Sequence, residues 1–237
     1  MQNANGKLYL IPTPLGDYAP EAVLPAPVLE RIAGIRTWVV EELRSARRFL
    51  SAAGWKGRVE SLELHLLNEH SSDTEVEALG ALFRDGNDVG LITEAGLPAV
   101  ADPGARLVAL CHRHGIEAVP LTGPSSLMLA LMASGLNGQS FAFLGYLPAK
   151  TDARRSALRQ VEKQSAAARQ TQIFIETPYR NDALFADILA CCKDSTRLCI
   201  AADLTLPDAL IRTRSIAAWK RERLTIGKRP CVFLILA

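Results

Sequence analysis

The stretch that decides the fold is VGLITEAGLPAVADPG, residues 89–104. It opens with an apolar run, which predicts a short buried strand over residues 89–93. A loop of small residues and prolines follows. Pro103 then begins an apolar pattern that predicts a helix over residues 103–114, with proline in its first turn and Gly115 at its end. A strand, a loop and a helix in this order indicate an α/β unit.

Two further loops repeat this arrangement. Residues 11–16 read IPTPLG after a predicted strand, and residues 121–126 read LTGPSS after another. Ligands of parallel sheets bind at the carboxyl ends of the strands, and small residues there let a flat ligand approach the backbone N–H and C=O groups. Each loop taken alone is also explained as a tight turn between strand and helix. Three such loops in one half of the chain favour a binding site.

Strands and helices alternate along the rest of the chain. This alternation predicts an α/β fold with mainly parallel or mixed sheets. We place a domain boundary near residues 135–140, which gives an N-terminal domain over residues 1–136 and a C-terminal domain over residues 137–237. The predicted strands are 7–11, 37–40, 62–66, 89–93, 116–121, 141–144, 172–176, 197–202, 209–213 and 231–236, and the predicted helices are 28–35, 45–53, 72–83, 103–114, 125–133, 152–169 and 182–191.

The composition is that of an ordinary globular protein. Of the 237 residues, 49% are hydrophobic and 22% are charged, which excludes disordered, collagen-like and coiled-coil classes. The longest apolar run, residues 127–133, is far shorter than the roughly 20 residues of a membrane span. The first residues show no secretory signal, and the five cysteines lack a C-x-x-C spacing, as expected of reduced thiols. We therefore expect a cytoplasmic protein.

Several common sites are absent from the sequence. It contains no G-x-G-x-x-G after the first strand, no phosphate-binding G-x-x-x-x-G-K-[ST] and no G-x-S-x-G nucleophile motif. The four histidines, His65, His70, His112 and His114, have no helical i, i+4 spacing with a supporting glutamate, and no cysteine lies at a suitable spacing from them. We therefore predict no metal site.

Charge is distributed unequally between the two halves. Residues 1–145 carry 11 basic and 16 acidic side chains, whereas residues 146–237 carry 16 basic and 9 acidic ones. Such an asymmetry is typical of a protein that meets a polyanion, although solvated helix faces also explain it.

At this point the motifs resemble a known family. The loop at residues 93–104 is similar to the D-A-G-T-P-x-x-S-D-P-G loop of the tetrapyrrole methylase family of S-adenosylmethionine-dependent methyltransferases. Its opening strand, its G-P-S helix entry, its domain-linking segment and its E-S-P-H-R motif have counterparts here in the same order, at LYLIPTPLG (8–16), PLTGPSS (120–126), FLGYLPAK (143–150) and IFIETPYR (173–180). The resemblance is greatest to the branch that methylates a cytidine ribose 2′-oxygen in small-subunit ribosomal RNA.

The sequence departs from the family pattern at several positions. Glu94, Leu97 and Ala101 stand where the family has Asp, Thr and Ser. The segment EELRSAR at 41–47 resembles the family's E-D-T-R-H-T-R. The segment NEHS at 68–71 stands where the family has H-E-H-N, and ADLT at 202–205 lacks the arginine of the family's R-E-L-T. The similarity ends at the last strand, without the small C-terminal extension of the ribosomal branch.

The resemblance implies S-adenosylmethionine as cofactor, held in a cleft between two α/β domains. It assigns the cofactor to ten residues: Leu15, Glu94, Ala95, Gly96, Ala99, Val100, Ser125, Ser126, Glu176 and Leu204. A ribose hydroxyl must lose a proton on methylation, and Glu41, Glu42 and Glu69 lie in motifs that the family presents near the cleft.

Basic residues in two segments could hold RNA phosphates. The predicted contacts are Arg44, Arg47, Lys150 and Arg154, with Arg48 and Arg155 beside them. The resemblance also implies a homodimer whose partner is ribosomal RNA or the small ribosomal subunit. Two other functions stay open: methylation of a tetrapyrrole or other small molecule, and a degenerate member that binds cofactor and RNA without turnover.

Overall fold

The computed structural model describes residues 6–237 and divides into two compact units. One unit runs to Ser125 and the other spans Ser126–Ala237. Each unit contains its own five-stranded sheet. No helix in the described part of the chain is long and apolar enough to cross a membrane.

The first unit is built on a parallel sheet. Its strands lie in the order β3-β2-β4-β1-β5, and every neighbouring pair is parallel. The carboxyl ends of all five strands therefore share one edge. The strands are β1 Leu8–Leu10, β2 Thr37–Val40, β3 Glu63–Leu66, β4 Val89–Ile92 and β5 Ala118–Pro120, and the helices are α1 Ala26–Gly34, α2 Leu43–Leu50, α3 Asp73–Ala78 and α4 Gly104–Arg113.

The core of the first unit covers both faces of this sheet. All residues of β2 and β4 are buried, as expected of parallel strands with helices on both sides. One apolar cluster joins Trp38 to Ile32 of α1 and Leu50 of α2. A second cluster joins Leu91 to Leu107 of α4. These two apolar clusters hold the strands in place and so fix the strand ends from which the three loops begin.

The second unit has a mixed sheet in the order β6-β7-β10-β8-β9. The β6–β7 pair is parallel and the other three pairs are antiparallel, with the fully buried β10 at the centre. Its elements are α5 Ser126–Ser134, β6 Phe141–Tyr146, α6 Thr151–Ala168, β7 Thr171–Ile175, α7 Asn181–Cys191, β8 Arg197–Ala202, β9 Leu210–Ser215, α8 Ile216–Trp219 and β10 Cys231–Leu236.

The boundary between the units lies eleven residues before the predicted one. We expected α5 to close the N-terminal domain at residue 136, but it belongs to the second unit. It packs against β8, β9 and β10, and the Thr213 hydroxyl donates a hydrogen bond to the Ser134 carbonyl at 2.6 Å. These contacts are distant in the sequence, so the chain alone does not reveal them.

Two predicted helices end earlier than expected. The helix over residues 72–83 is α-helical only in α3 and continues as 3₁₀ turns over Leu79–Gly86. Its start was predicted correctly: Ser72 caps it and forms a reciprocal capping box with Glu75. The helix over residues 45–53 corresponds to α2, which passes into a π-helical turn over Ser51–Trp55.

Candidate functional site

Three loops meet at the carboxyl edge of the first sheet. They follow β4, β1 and β5, which are adjacent in the strand order. The loops after β1 and β4 are joined directly, because Thr13 and Gly96 exchange two backbone hydrogen bonds with N–O distances of 2.9 and 3.1 Å. The Thr13 hydroxyl also donates to the Thr93 carbonyl at 3.3 Å. The predicted cofactor loops of this unit are therefore one connected structure.

Glycine is required where these loops approach each other. Gly96 has φ +81°, and a Cβ there would lie 3.2 Å from Leu15 Cδ2 and 3.7 Å from the Pro124 carbonyl oxygen. A Cβ on Gly123 would lie 2.2 Å from the Cβ of Pro12, closer than any real side chain allows. The missing side chains leave room for Leu15 and Pro12 of the loop after β1 to pack closely against the other two loops.

The loop after β4 also holds two alanines in a left-handed conformation. Ala99 has φ 64° and Ala101 has φ 61°. This conformation costs about 1–2 kcal/mol for a residue other than glycine. Strain of this kind persists where surrounding contacts impose it, and it is concentrated at binding sites. The strained segment places the apolar side chain of Val100 at the surface, where 43% of the residue is exposed.

Asp102 anchors the far end of this loop at the start of α4. Its Oδ1 accepts the Gly104 N–H at 2.6 Å, whereas its buried Oδ2 has no hydrogen-bond partner within residues 6–237. Burial raises the pKa of this carboxyl, and the nearby charge of Glu41 raises it further. Asp102 is a further residue of this loop beyond those predicted from the sequence.

Glu41 joins the end of β2 to the loop after β4. Its Oε2 accepts the Thr93 hydroxyl at 2.5 Å and the Glu94 N–H at 3.3 Å. Glu94 is exposed, and its pKa is raised by partial desolvation of the carboxyl and by the charges of Glu41 and Glu42. Of the three carboxylates predicted as bases, Glu41 is the one that contacts a cofactor loop.

Glu42 and Glu69 have other surroundings. Glu42 is the N-cap of α2, where its carboxylate accepts the N–H groups of Arg44 at 2.8 Å and Ser45 at 2.6 Å. Glu42 is therefore the helix cap of α2, and these two hydrogen bonds lower its pKa; its role as a base stays a prediction. Glu69 is exposed in the turn after β3, two strands away from β4, with His70 at 3.6 Å.

A pocket of about 350 Å³ opens beside these loops. One wall is formed by the loop after β1 together with Glu94 and Ala95, and the other by α2 and the residues that follow it. The pocket is lined by Thr13, Pro14, Leu15, Gly16, Asp17, Tyr18, Pro20, Ser45, Arg48, Phe49, Ala52, Glu94 and Ala95. The sequence analysis missed Tyr18 and Phe49 as site residues, because single aromatic residues in loops and helices carry no recognisable pattern.

The predicted RNA contacts separate into two groups. Arg44, Arg47 and Lys150 are exposed. The prediction for Arg154 is wrong, because its side chain is only 4% exposed and its guanidinium binds Asp187 at 2.5 and 2.8 Å. Arg154 also donates to the Ala149 carbonyl at 2.8 Å. It therefore fastens α6 to α7 and is not available to a phosphate.

Asp187 is shared by two guanidinium groups. Arg155 donates to its second oxygen at 2.7 Å. Burial opposes ionisation of this aspartate, but the hydrogen bonds from Arg155 and Arg154 outweigh it, and the pKa of Asp187 lies below its usual value. Asp187 is therefore ionised and held in place.

The second unit carries two of the predicted cofactor residues at one edge of its sheet. Glu176 follows β7 and Leu204 follows β8, and both strands run antiparallel to β10 and so end on the same side. Glu176 is buried; its Oε1 accepts Arg180 at 2.6 Å, whereas Oε2 has no hydrogen-bond partner among the described residues. Leu204 is also buried, between Asp203 at φ 50° and Thr205 at φ 74°.

Comparison with known proteins identifies the class to which this architecture belongs. The family model described as Tetrapyrrole (Corrin/Porphyrin) Methylases matches residues 7–218. The fold is similar to that of the methyltransferase CobJ in its crystal structure, with a TM-score of 0.62 and 16% identity over 98% of this chain and 94% of that one. This chain belongs to the tetrapyrrole methylase family of S-adenosylmethionine-dependent methyltransferases, and the family and fold class predicted from its motifs are confirmed.

Relatives within the family bear one recurring name. The chain is 34% identical over 236 residues to Ribosomal RNA small subunit methyltransferase I of Escherichia coli O157:H7, covering 98% of this chain and 78% of that protein. It is 32% identical over 198 residues to the protein of the same name from Vibrio cholerae, covering 84% of this chain. The chain spans 65% of the Vibrio cholerae relative's length.

Proposed function

We propose that this protein transfers a methyl group from S-adenosylmethionine to a ribose 2′-hydroxyl of small-subunit ribosomal RNA. The observation that carries this proposal is the 34% identity, over 98% of the chain, to a relative named for small-subunit ribosomal RNA. A ribosomal substrate also implies a cytoplasmic enzyme. The homodimer implied by the resemblance stays a prediction.

The chemistry of the three loops fits the cofactor. Ala95 and Ala99 supply backbone N–H and C=O groups with little side chain in front of them, and Leu15 and Val100 supply apolar surface for a flat purine. Gly96 and Ser125 complete the set proposed for this unit, and Ser126, the first residue of the second unit, stays a predicted cofactor contact beside Ser125. Glu176 and Leu204 on the second unit stay predicted cofactor contacts. When bound, the cofactor supplies the methyl group on a sulfonium centre.

The protein itself must orient the ribose and remove a proton. We assign proton removal to Glu94, since it lines the pocket and its raised pKa makes its carboxylate a stronger base. Glu41 positions the Glu94 backbone through the 3.3 Å hydrogen bond and fixes the loop through Thr93.

The test is incorporation of tritium from methyl-labelled S-adenosylmethionine. Purified small ribosomal subunits lacking the modification are offered in one reaction, and a soluble tetrapyrrole in another. The proposal expects label in ribosomal RNA, retained in 2′-O-methyl nucleosides after nuclease digestion. Label in the tetrapyrrole alone would establish the small-molecule alternative. Cofactor binding without label in either substrate would establish a degenerate member.

A further inference from the structure

The pocket beside α2 contains groups that the cofactor assignment does not use. Arg48 and Phe49 of α2 line it on one side, and Tyr18 lines it on the other. The Tyr18 hydroxyl accepts the Leu15 N–H at 3.2 Å, which ties this aromatic residue to the loop after β1. Phe49 is half-buried and packs against the apolar cluster below it. The lining therefore includes two aromatic side chains and the cation of Arg48, together with the carboxylates of Asp17 and Glu94.

The size of the pocket limits its ligand. A volume of about 350 Å³ is near the lower end of the range for small-molecule sites, which is about 300–1,000 Å³. One nucleotide has this scale, whereas a tetrapyrrole macrocycle is much larger. The pocket also includes Glu94 and Ala95, so a ligand in it lies beside the loop proposed to hold the cofactor.

The charge around the pocket suits a polymer of phosphates. Arg44, Arg47 and Arg48 are exposed on α2, and within residues 6–237 none of them forms an ion pair with a carboxylate. Arg44 and Arg48 are four residues apart and so lie on one face of the helix. A single carboxylate, as in the cofactor, needs one cation; a row of cations leading out of a pocket matches successive phosphates.

We propose that this pocket receives the target nucleotide of the RNA, turned out of its stack, with its base against Phe49 and Tyr18 and its phosphate at Arg48. The inference rests on the proposed function and names the part of the protein that selects the nucleotide. Enzymes that act on a base commonly extrude its nucleotide into a pocket, and proteins that recognise single-stranded RNA stack unstacked bases on aromatic side chains. Such stacking contributes about 1–3 kcal/mol per base.

The salt dependence of RNA binding separates stacking from charge. We expect Phe49→Leu to weaken binding of purified small-subunit ribosomal RNA by about tenfold, with an unchanged slope of log affinity against log salt, because the lost contact is uncharged. Phe49→Tyr retains a ring and should bind RNA as the wild type does. Arg47→Ala is the matched control: it lies outside the pocket and should reduce the slope by about 0.7–0.9.

Cofactor affinity distinguishes a nucleotide site from an extension of the cofactor site. We expect Arg48→Ala to weaken RNA binding and leave the calorimetric Kd for S-adenosylmethionine unchanged. A weaker cofactor Kd in Arg48→Ala, or unchanged RNA affinity in a folded Phe49→Leu variant, would overturn the proposal. These binding measurements require no turnover, so absence of methyl transfer by the wild type would count against the proposed function and not against the pocket.

Discussion

Thr13 and Gly96 bind each other through two backbone hydrogen bonds, although they are 83 positions apart in the chain. This pair is the physical link between the loops after β1 and β4. Any side chain at residue 96 would have to occupy a left-handed conformation and press on Leu15. Cofactor binding should therefore depend on this position more than folding does.

We expect Gly96→Val to lower S-adenosylmethionine affinity by at least tenfold while the protein still folds. A control with the same backbone requirement is Gly115→Val, since Gly115 has φ +66° and open space around its Cβ position. Both substitutions should cost similar backbone strain, about 1–2 kcal/mol. Titration calorimetry measures the affinity, and equal affinities for the two folded variants would contradict the assignment of Gly96.

The raised pKa of Glu94 gives a pH-dependent stability. In the folded protein the pKa of Glu94 lies above the ordinary value for a glutamate. Ionisation of this carboxyl therefore lowers the free energy of unfolding, and the loss grows as the pH rises from the ordinary pKa to the raised one. Glu94→Gln should therefore raise the melting temperature at about pH 7 and have almost no such effect near pH 4. Thermal unfolding at several pH values measures this, with exposed Glu69→Gln as the control.

The same variant tests the proton acceptor. A positioned general base contributes about 10²–10⁴-fold to a rate. Glu94→Gln should lower kcat by a factor in that range with little change in the KM for RNA. A variant with normal kcat and weaker cofactor binding would show that Glu94 is only a cofactor contact.

Removing Arg154 should destabilise the protein strongly. Loss of one partner from a buried ion pair leaves the other charge uncompensated, at a cost of about 3–5 kcal/mol. Arg154→Ala should lose stability on this scale in urea unfolding, whereas Arg155→Ala, whose side chain is 44% exposed, should lose about 1 kcal/mol or less. The contribution of the pair should also fade as pH falls through the lowered pKa of Asp187.

A double variant tests whether lost charge or lost packing explains the destabilisation by Arg154→Ala. Replacing Arg154 and Asp187 together by apolar residues of similar volume should restore much of the stability, because no buried charge is then left alone. If the double variant were as unstable as Arg154→Ala, packing rather than charge would explain the loss.

The exposed cations should determine the salt dependence of RNA binding. Replacing Arg44, Arg47 and Lys150 together by Ala should reduce the slope of log affinity against log salt by about 2–3, at about 0.7–0.9 for each phosphate contact. Filter binding to small-subunit ribosomal RNA over a salt series measures the slope.

A control removes the same net charge elsewhere. Lys56, Arg84 and Lys163 are exposed and lie outside the predicted RNA contacts. Their triple replacement by Ala should leave the slope almost unchanged. Equal slopes for the two triple variants would mean that the first three residues do not hold phosphates.

Much of the fold was predictable because its signals are local. The strands at residues 37–40, 197–202 and 231–236 have the predicted bounds, since each is an apolar run in which only the first residues Thr37 and Arg197 are polar. The helix Ile216–Trp219 was missed, because four residues are too few to show a helical period.

The error at Arg154 concerns a contact between distant residues. Arg154 resembles any solvent-facing cation of a basic helix until α7 brings Asp187, 33 residues later, against it. Glu42 was predicted as a base because it lies in a motif that the family presents near the cleft. Its capping of α2 was not predicted, because Ser, Thr, Asp and Asn are the usual N-caps. The three loops were found because small residues and prolines after strands are a local signal.

The central position of β10 has a consequence for the order in which the second unit assembles during synthesis. Residues 231–236 form β10, the last strand to be synthesised. This strand lies between β7 and β8 and is hydrogen-bonded to both, so it alone joins them in the sheet. A nascent chain that has reached Pro230 therefore exposes two unpaired strand edges, which are templates for aggregation. The unit closes in one late step, so ribosome pausing or truncation shortly before residue 231 should leave a species that depends on chaperones.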